Sequence, residues 1–151
     1  MFTNPSTPNL ADFIVFAIAQ GVPVADLPSG SPYPSWALGY ALSVALCAPA
    51  DLPAIVYVMA VYNLAYHQLL KTAQDQSGIS FFTEQRTAFG MLSFVAGPVA
   101  SSGDEGTNQT LVVPDWMKTM TISSNNLLKT PWGLAYLEYA QSYGPNIVGV
   151  A

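Results

Sequence analysis

The chain contains one histidine, His67, and one cysteine, Cys47, so few of its residues have side chains suited to reaction chemistry. A zinc or other transition-metal site would have to be built mostly from carboxylates, a poor match to the nitrogen and sulfur ligands such ions prefer. His67 falls beside Asn63 and Lys71 on a helical repeat, which reads as a polar face and a surface or intersubunit hydrogen-bonding role. Cys47, among Ala45, Leu46 and Ala48, reads as a small buried hydrophobe, since a thiol nucleophile wants an adjacent base and His67 is the one imidazole that could serve. Asp104 and Glu105 are neighbouring carboxylates between Gly103 and Gly106. Acid–base work needs two carboxyls held at a set separation, which a flexible stretch does not supply, so a solvated loop tip is expected. The glycines match neither a phosphate loop nor a dinucleotide fingerprint. Asn108-Gln109-Thr110 fits a glycosylation sequon, but no secretory signal accompanies it, and the match reads as chance. The reading is therefore of no catalytic, cofactor-binding or metal-binding residues, and of a protein that works by packing against others.

Composition points the same way. Charged residues make up 9% of the chain and hydrophobic ones 51%, against about 25% charged in ordinary soluble domains. A solitary globule of this composition leaves a bare surface that either a membrane or partner subunits should cover. The net charge of -5, with Lys71, Arg86, Lys118 and Lys129 as the four basic side chains, offers no stripe for neutralising phosphates. A membrane span needs about 20 uninterrupted apolar residues. The longest run, Ile55 to Leu70, carries Asn63, His67 and Gln68 and is about one turn short, so no membrane association is expected. The single cysteine excludes an intrachain disulfide framework, and a reducing cytoplasm suits assembly.

The elements that would position these groups are mainly helical. Asn9 with Asp12 three residues on marks a helix over 10–20, stopped at Gly21. Proline and Ser-Gly-Ser in 21–34 predict a wrapping loop, with Ser35 capping a helix over 36–48. Asp51 and Pro53 open the strongest helix, in which Ile55, Val58, Met59, Tyr62, Ala65, Tyr66 and Leu69 form an apolar stripe. Its first half is apolar nearly all round, so it should be buried by other elements or by neighbouring subunits. A helix over 80–94 follows, with Ile79, Phe82 and Phe89 along one side and Glu84, Gln85 and Arg86 along another. Residues 97–113 are polar and turn-rich with a β-prone exit, predicting a projecting hairpin or loop. Residues 114–126 read as mostly irregular, with a helical turn near 125–128. Thr130 and Pro131 then form a cap and first-turn pair for a last helix ending at Gly144. The expected architecture is one domain: an N-terminal arm with a short helix (1–34), a helical core (35–96), a projecting hairpin or loop (97–113), and a docking segment with an extended tail (114–151).

Three stretches carry a resemblance: Met59 to Leu70 (MAVYNLAYHQLL), Gly97 to Pro114 (GPVASSGDEGTNQTLVVP) and Lys129 to Gln141 (KTPWGLAYLEYAQ). A central helix, then a Val-x-Ser-x-x-x-Glu-Gly-Thr-like hairpin, then Thr-Pro-aromatic-Gly-x-x-aromatic, resembles the head-to-tail connector (adaptor) proteins of tailed bacteriophages. The matching positions are Val99, Ser101, Glu105, Gly106 and Thr107, then Thr130, Pro131, Trp132, Gly133 and Tyr136. The likeness covers roughly 35–144, and the first 34 residues are not carried by it.

The resemblance implies a structural virion protein, with about twelve copies in a ring matching a dodecameric portal. It implies a portal protein above, a tail or nozzle protein below, and DNA passing through the lumen only in transit. Expected interface residues are Ser101, Asp104, Glu105, Thr107 and Asn108 on the hairpin, Trp132, Tyr136, Tyr139 and Tyr143 on the last helix, and Ile147, Val148 and Val150 in the tail. Such aromatics suit either an interface between subunits or packing within one chain. Competing readings are another neck or tail structural protein, and a small-ligand-binding helical domain.

Overall fold

The computed structural model describes residues 2–45, 52–92, 101–104, 107–110 and 122–143, with the backbone path alone for 101–104, 107–110 and 122–124. The chain is mainly helical. Its helices are α1 (Leu10–Ala19), α2 (Tyr33–Val44), α3 (Ala54–Thr72), α4 (Phe81–Ala88), α5 (Ile122–Leu127) and α6 (Pro131–Tyr143), with a 3-10 turn at Val24–Asp26. Strands β1 (Ser101–Asp104) and β2 (Thr107–Thr110) pair antiparallel, Ser101 opposite Thr110 and Asp104 opposite Thr107.

The first helix starts as its sequence predicts. The Asn9 side chain accepts the Asp12 backbone N–H at 2.9 Å, satisfying one of the donors that a helix start leaves orphaned. It stops at Gly21, whose φ of 108° suits glycine. The Gly21 N–H donates to Ile18 O at 2.9 Å and the Val22 N–H to Ala17 O at 3.2 Å, the paired bonds of a Schellman cap. The α4 end repeats this device at Gly90, φ 60°, with Gly90 N–H to Thr87 O and Met91 N–H to Arg86 O. This corrects the expected 80–94 helix, which ends at Ala88 because Gly90 turns the chain; 93 and 94 lie outside the described residues.

The second helix begins at Tyr33, before Ser35, and Pro34 occupies its first turn, where a missing N–H leaves no bond unmade. Ser35 is thus inside the helix and not its cap. The expected C-terminal part of that helix, with Cys47, and the Asp51 start of the next lie outside the described residues. Pro53 is the residue that precedes α3, its carbonyl accepting from Val56 and Tyr57.

α3 is the axis of the molecule, packed on by α1, α2, α4 and α6. Val58, Val61, Tyr62, Ala65, Tyr66, Leu69 and Leu70 are fully enclosed, joined by Phe13, Ala17, Ala37, Ala41, Phe82 and Tyr136 from the surrounding helices. At the start of α3 Ile55 is exposed and Val56, Tyr57 and Met59 are half-buried, whereas from about Val58 onward the chain's own elements cover it. They also cover its expected polar face: Asn63 and His67 are buried. Asn63 turns its amide back to Met59 O at 2.8 Å, the local bond open to a buried polar side chain on a helix.

Candidate functional site

Thr130 precedes α6, and its hydroxyl accepts the Gly133 N–H at 3.0 Å, a side-chain cap of the predicted kind. The same oxygen lies 2.7 Å from His67 Nδ1, sixty-three residues earlier in the chain. His67 is 4% exposed, so it is neither a surface nor an intersubunit residue in this fold. Burial, with the charges of Lys71 and Lys129, pushes its pKa down to about 4. At neutral pH the ring is uncharged. With its oxygen already accepting from Gly133, the Thr130 hydroxyl is free to donate to the imidazole nitrogen. The pair fastens α6 to the central helix.

The residues around this junction explain the Thr-Pro-Trp-Gly sequence. Pro131 is the first helical residue, where no N–H is needed. Trp132 sets its ring edge-on to Tyr66 at 4.5 Å and to Phe89 at 5.8 Å, and its Nε1 donates to Gln20 Oε1 at 3.0 Å. One side chain thereby touches α3, the segment after α4, and the end of α1. At Gly133 an added Cβ would meet Leu127 O at 2.0 Å, so the end of α5 sits where any other residue would project. Lys129 donates to Gly90 O at 3.0 Å, tying this junction to the α4 cap.

Ionisable groups elsewhere also hold chain segments together. The Asp12 carboxylate accepts from the Thr3 N–H and hydroxyl, the Asn4 N–H and the Asn9 amide, all within 2.9 Å. Burial alone would raise its pKa, but the bonds from Thr3, Asn4 and Asn9 outweigh that and hold the carboxyl well below the usual range. Phe2, on the arm so clamped, lies edge-on to Tyr62 at 5.3 Å. Asp75 accepts from the Phe82 and Thr83 N–H groups and so caps α4 from six residues before its first residue. Arg86 is buried, and its Nη1 donates to Leu70 O and Ala73 O at the end of α3. A cation at a helix C-terminus meets both the orphan carbonyls and the helix dipole. Asp26 accepts the Gln76 N–H at 3.0 Å, linking the 3-10 turn to the α3–α4 connection.

The expected interface residues divide sharply. Tyr136 is core, and Trp132 finds its partners within the chain. Tyr139 is partly buried against the same core, whereas Tyr143 is 45% exposed at the end of α6. Ser101, Asp104, Thr107 and Asn108 lie in the paired strands, with Gly103 opposite Asn108. Glu105, Ile147, Val148 and Val150 fall outside the described residues. Sequence reasoning overlooked Trp36 and Tyr40 on α2, two large side chains that stand exposed; their signal was a helix without a single charged residue. Among the described residues, no group of three or more His, Cys, Asp or Glu comes together to hold a metal, and no helix is long and apolar enough to cross a membrane. No protein-family model, curated protein or solved structure matches the chain.

Proposed function

We propose that the chain is a structural subunit of a larger assembly, and specifically a head-to-tail connector of a tailed phage, ringed beneath the portal. The observation that carries the reading is the use made of the ionisable and polar groups. Asp12, Asp75, Arg86 and the His67–Thr130 pair each fasten a helix end or an arm of the chain. Large apolar side chains such as Trp36, Leu42, Leu134 and Tyr143 meanwhile stand at the surface. A fold stiffened internally and bare outside is suited to gaining its function from neighbours.

In this proposal the β1–β2 segment projects from the helical body as a hairpin and touches an adjacent subunit. The end of α6, from Tyr143 onward, docks on the portal with the uncharged Ile147, Val148 and Val150 laid along it as an extended tail. The lumen is neutral to acidic, so DNA passes without adhering, and assembly takes place in the host cytoplasm. The test is negative-stain electron microscopy and native mass spectrometry of the purified chain, alone and mixed with the portal protein of the same genome. A collar of about twelve copies on one end of the portal is expected. A chain that leaves the portal bare at concentrations well above those of normal assembly would sink the reading.

A further inference from the structure

The outer half of α2 is organised in two rows. Trp36, Tyr40 and Val44 follow one another at four-residue steps, 63%, 40% and 39% exposed. Ser35, Gly39 and Ser43 follow at the same steps in the adjacent row, and all three are exposed. The first row is a ridge of large side chains and the second a shallow groove of small ones. The opposite side of the helix, Pro34, Ala37, Leu38 and Ala41, is buried.

Among the described residues nothing accounts for Gly39. A Cβ there would meet nothing within 4 Å, and its backbone lies outside the left-handed region. Glycine in mid-helix is destabilising relative to alanine. A close approach from outside is what its absent side chain permits. Ser43 fits such a groove too, because its hydroxyl turns back to Gly39 O at 2.8 Å and needs no partner.

Charge favours a second copy as the occupant. Across residues 2–45 the charged side chains are Asp12 and Asp26, and both are buried. Among the described residues, α1 and α2 therefore present no ionised side chain, while Lys71, Glu84 and Glu138 lie exposed on α3, α4 and α6. Copies carrying -5 each repel one another through charged surfaces and approach without that penalty on this side.

We infer that α2 packs against α2 of a second copy across a two-fold axis, the Trp36–Tyr40–Val44 ridge of each entering the Ser35–Gly39–Ser43 groove of the other. Rows at four-residue steps that interdigitate cross at about -50°. An isologous contact of this kind closes on itself, so any ring uses other faces, and the pair does not depend on the connector reading. The apolar area that the ridge and Leu42 offer is on the order of 400 Å² per copy, about half of a standard interface. The pair is accordingly weak and concentration-dependent, with a dissociation constant on the order of 10 to 100 μM.

Sedimentation velocity of the full chain, from about 1 to 500 μM, tests this. The weight-average mass should rise from 16.1 kDa toward twice that value. Trp36→Glu, at a site already exposed, should weaken association at least about tenfold, and Gly39→Leu should do the same by filling the groove. Both should keep the wild-type circular dichroism, and Glu138→Lys on α6 should associate as wild type does. A wild-type chain that stays monomeric throughout overturns the inference. So does Trp36→Glu or Gly39→Leu protein that associates like wild type, whether through the chain's uncharged C-terminal residues or another face. Failure to bind the portal with the α2 pair intact would count against the connector reading alone.

Discussion

His67 Nδ1 and Thr130 Oγ1 stand 2.7 Å apart inside the protein, and the same threonine oxygen accepts the Gly133 N–H that opens α6. A helix cap and a buried imidazole thus depend on one hydroxyl. Thr130→Val removes the cap and leaves the imidazole nitrogen unpaired in a site too enclosed for bulk water. A loss of about 2 kcal/mol is expected from the two effects together, measurable by urea denaturation. A loss below about 0.5 kcal/mol would mean that the junction contributes little.

The same pair sets a pH dependence. His67 titrates near 6.5 when unfolded and about 4 when folded, so between those values the unfolded chain binds the extra proton. The stability tied to its neutral form is fully present above pH 6.5 and is lost as pH falls through 4. The full effect is on the order of 3 kcal/mol. Asp12 and Asp75, both held below the usual carboxylate range, add a separate loss that begins only below about pH 4. Denaturation midpoints across pH 3 to 8 should show both limbs, and His67→Gln should flatten the upper one. An unchanged upper limb in that variant would assign it to another group.

Gly133→Ala places a methyl group where Leu127 O already lies, 2.0 Å from the new carbon. The obstacle is backbone, so relief requires α5 and α6 to separate. A loss of at least about 3 kcal/mol is expected, with reduced helicity by circular dichroism. A variant as stable as wild type would show that α5 can move away freely.

Tyr66→Phe should go the other way. Among the described residues the buried Tyr66 hydroxyl has no hydrogen-bond partner, and burial raises its pKa. Removing it keeps the ring beneath Trp132 and deletes an unsatisfied polar atom, so stability should hold or rise by about 1 kcal/mol. A clear loss in thermal denaturation would reveal a partner for that hydroxyl.

Asp12→Asn removes the charge that gathers Thr3, Asn4 and Asn9. The amides of Thr3 and Asn4 should exchange with solvent much faster, while those of α3 keep their protection. Equal slowing or quickening of both sets would mean that the arm opens only with the whole molecule.

What the sequence determined by itself is whatever depends on neighbours within about four residues. Asn9 with Asp12, Gly21 as a stop, and Thr130 with Pro131 were legible because a cap needs only a local side chain and a nearby backbone group. The central helix was legible from its periodic apolar residues. Gly90 carried the same kind of stop signal as Gly21, yet the expected helix runs past it to 94. Tertiary structure alone decided the rest. His67 and Asn63 read as part of a polar face because polarity usually marks solvent, and nothing local marked Arg86 as buried. Here α3 is enclosed by four helices, and burial becomes tolerable only because Thr130, Met59 O, Leu70 O and Ala73 O meet these groups. Trp132 packs inward on Tyr66, far back in the chain, and Trp36 is left outside, although both tryptophans sit on apolar helices. Periodicity tells which residues share a face, but which face is buried depends on contacts between segments far apart in the chain.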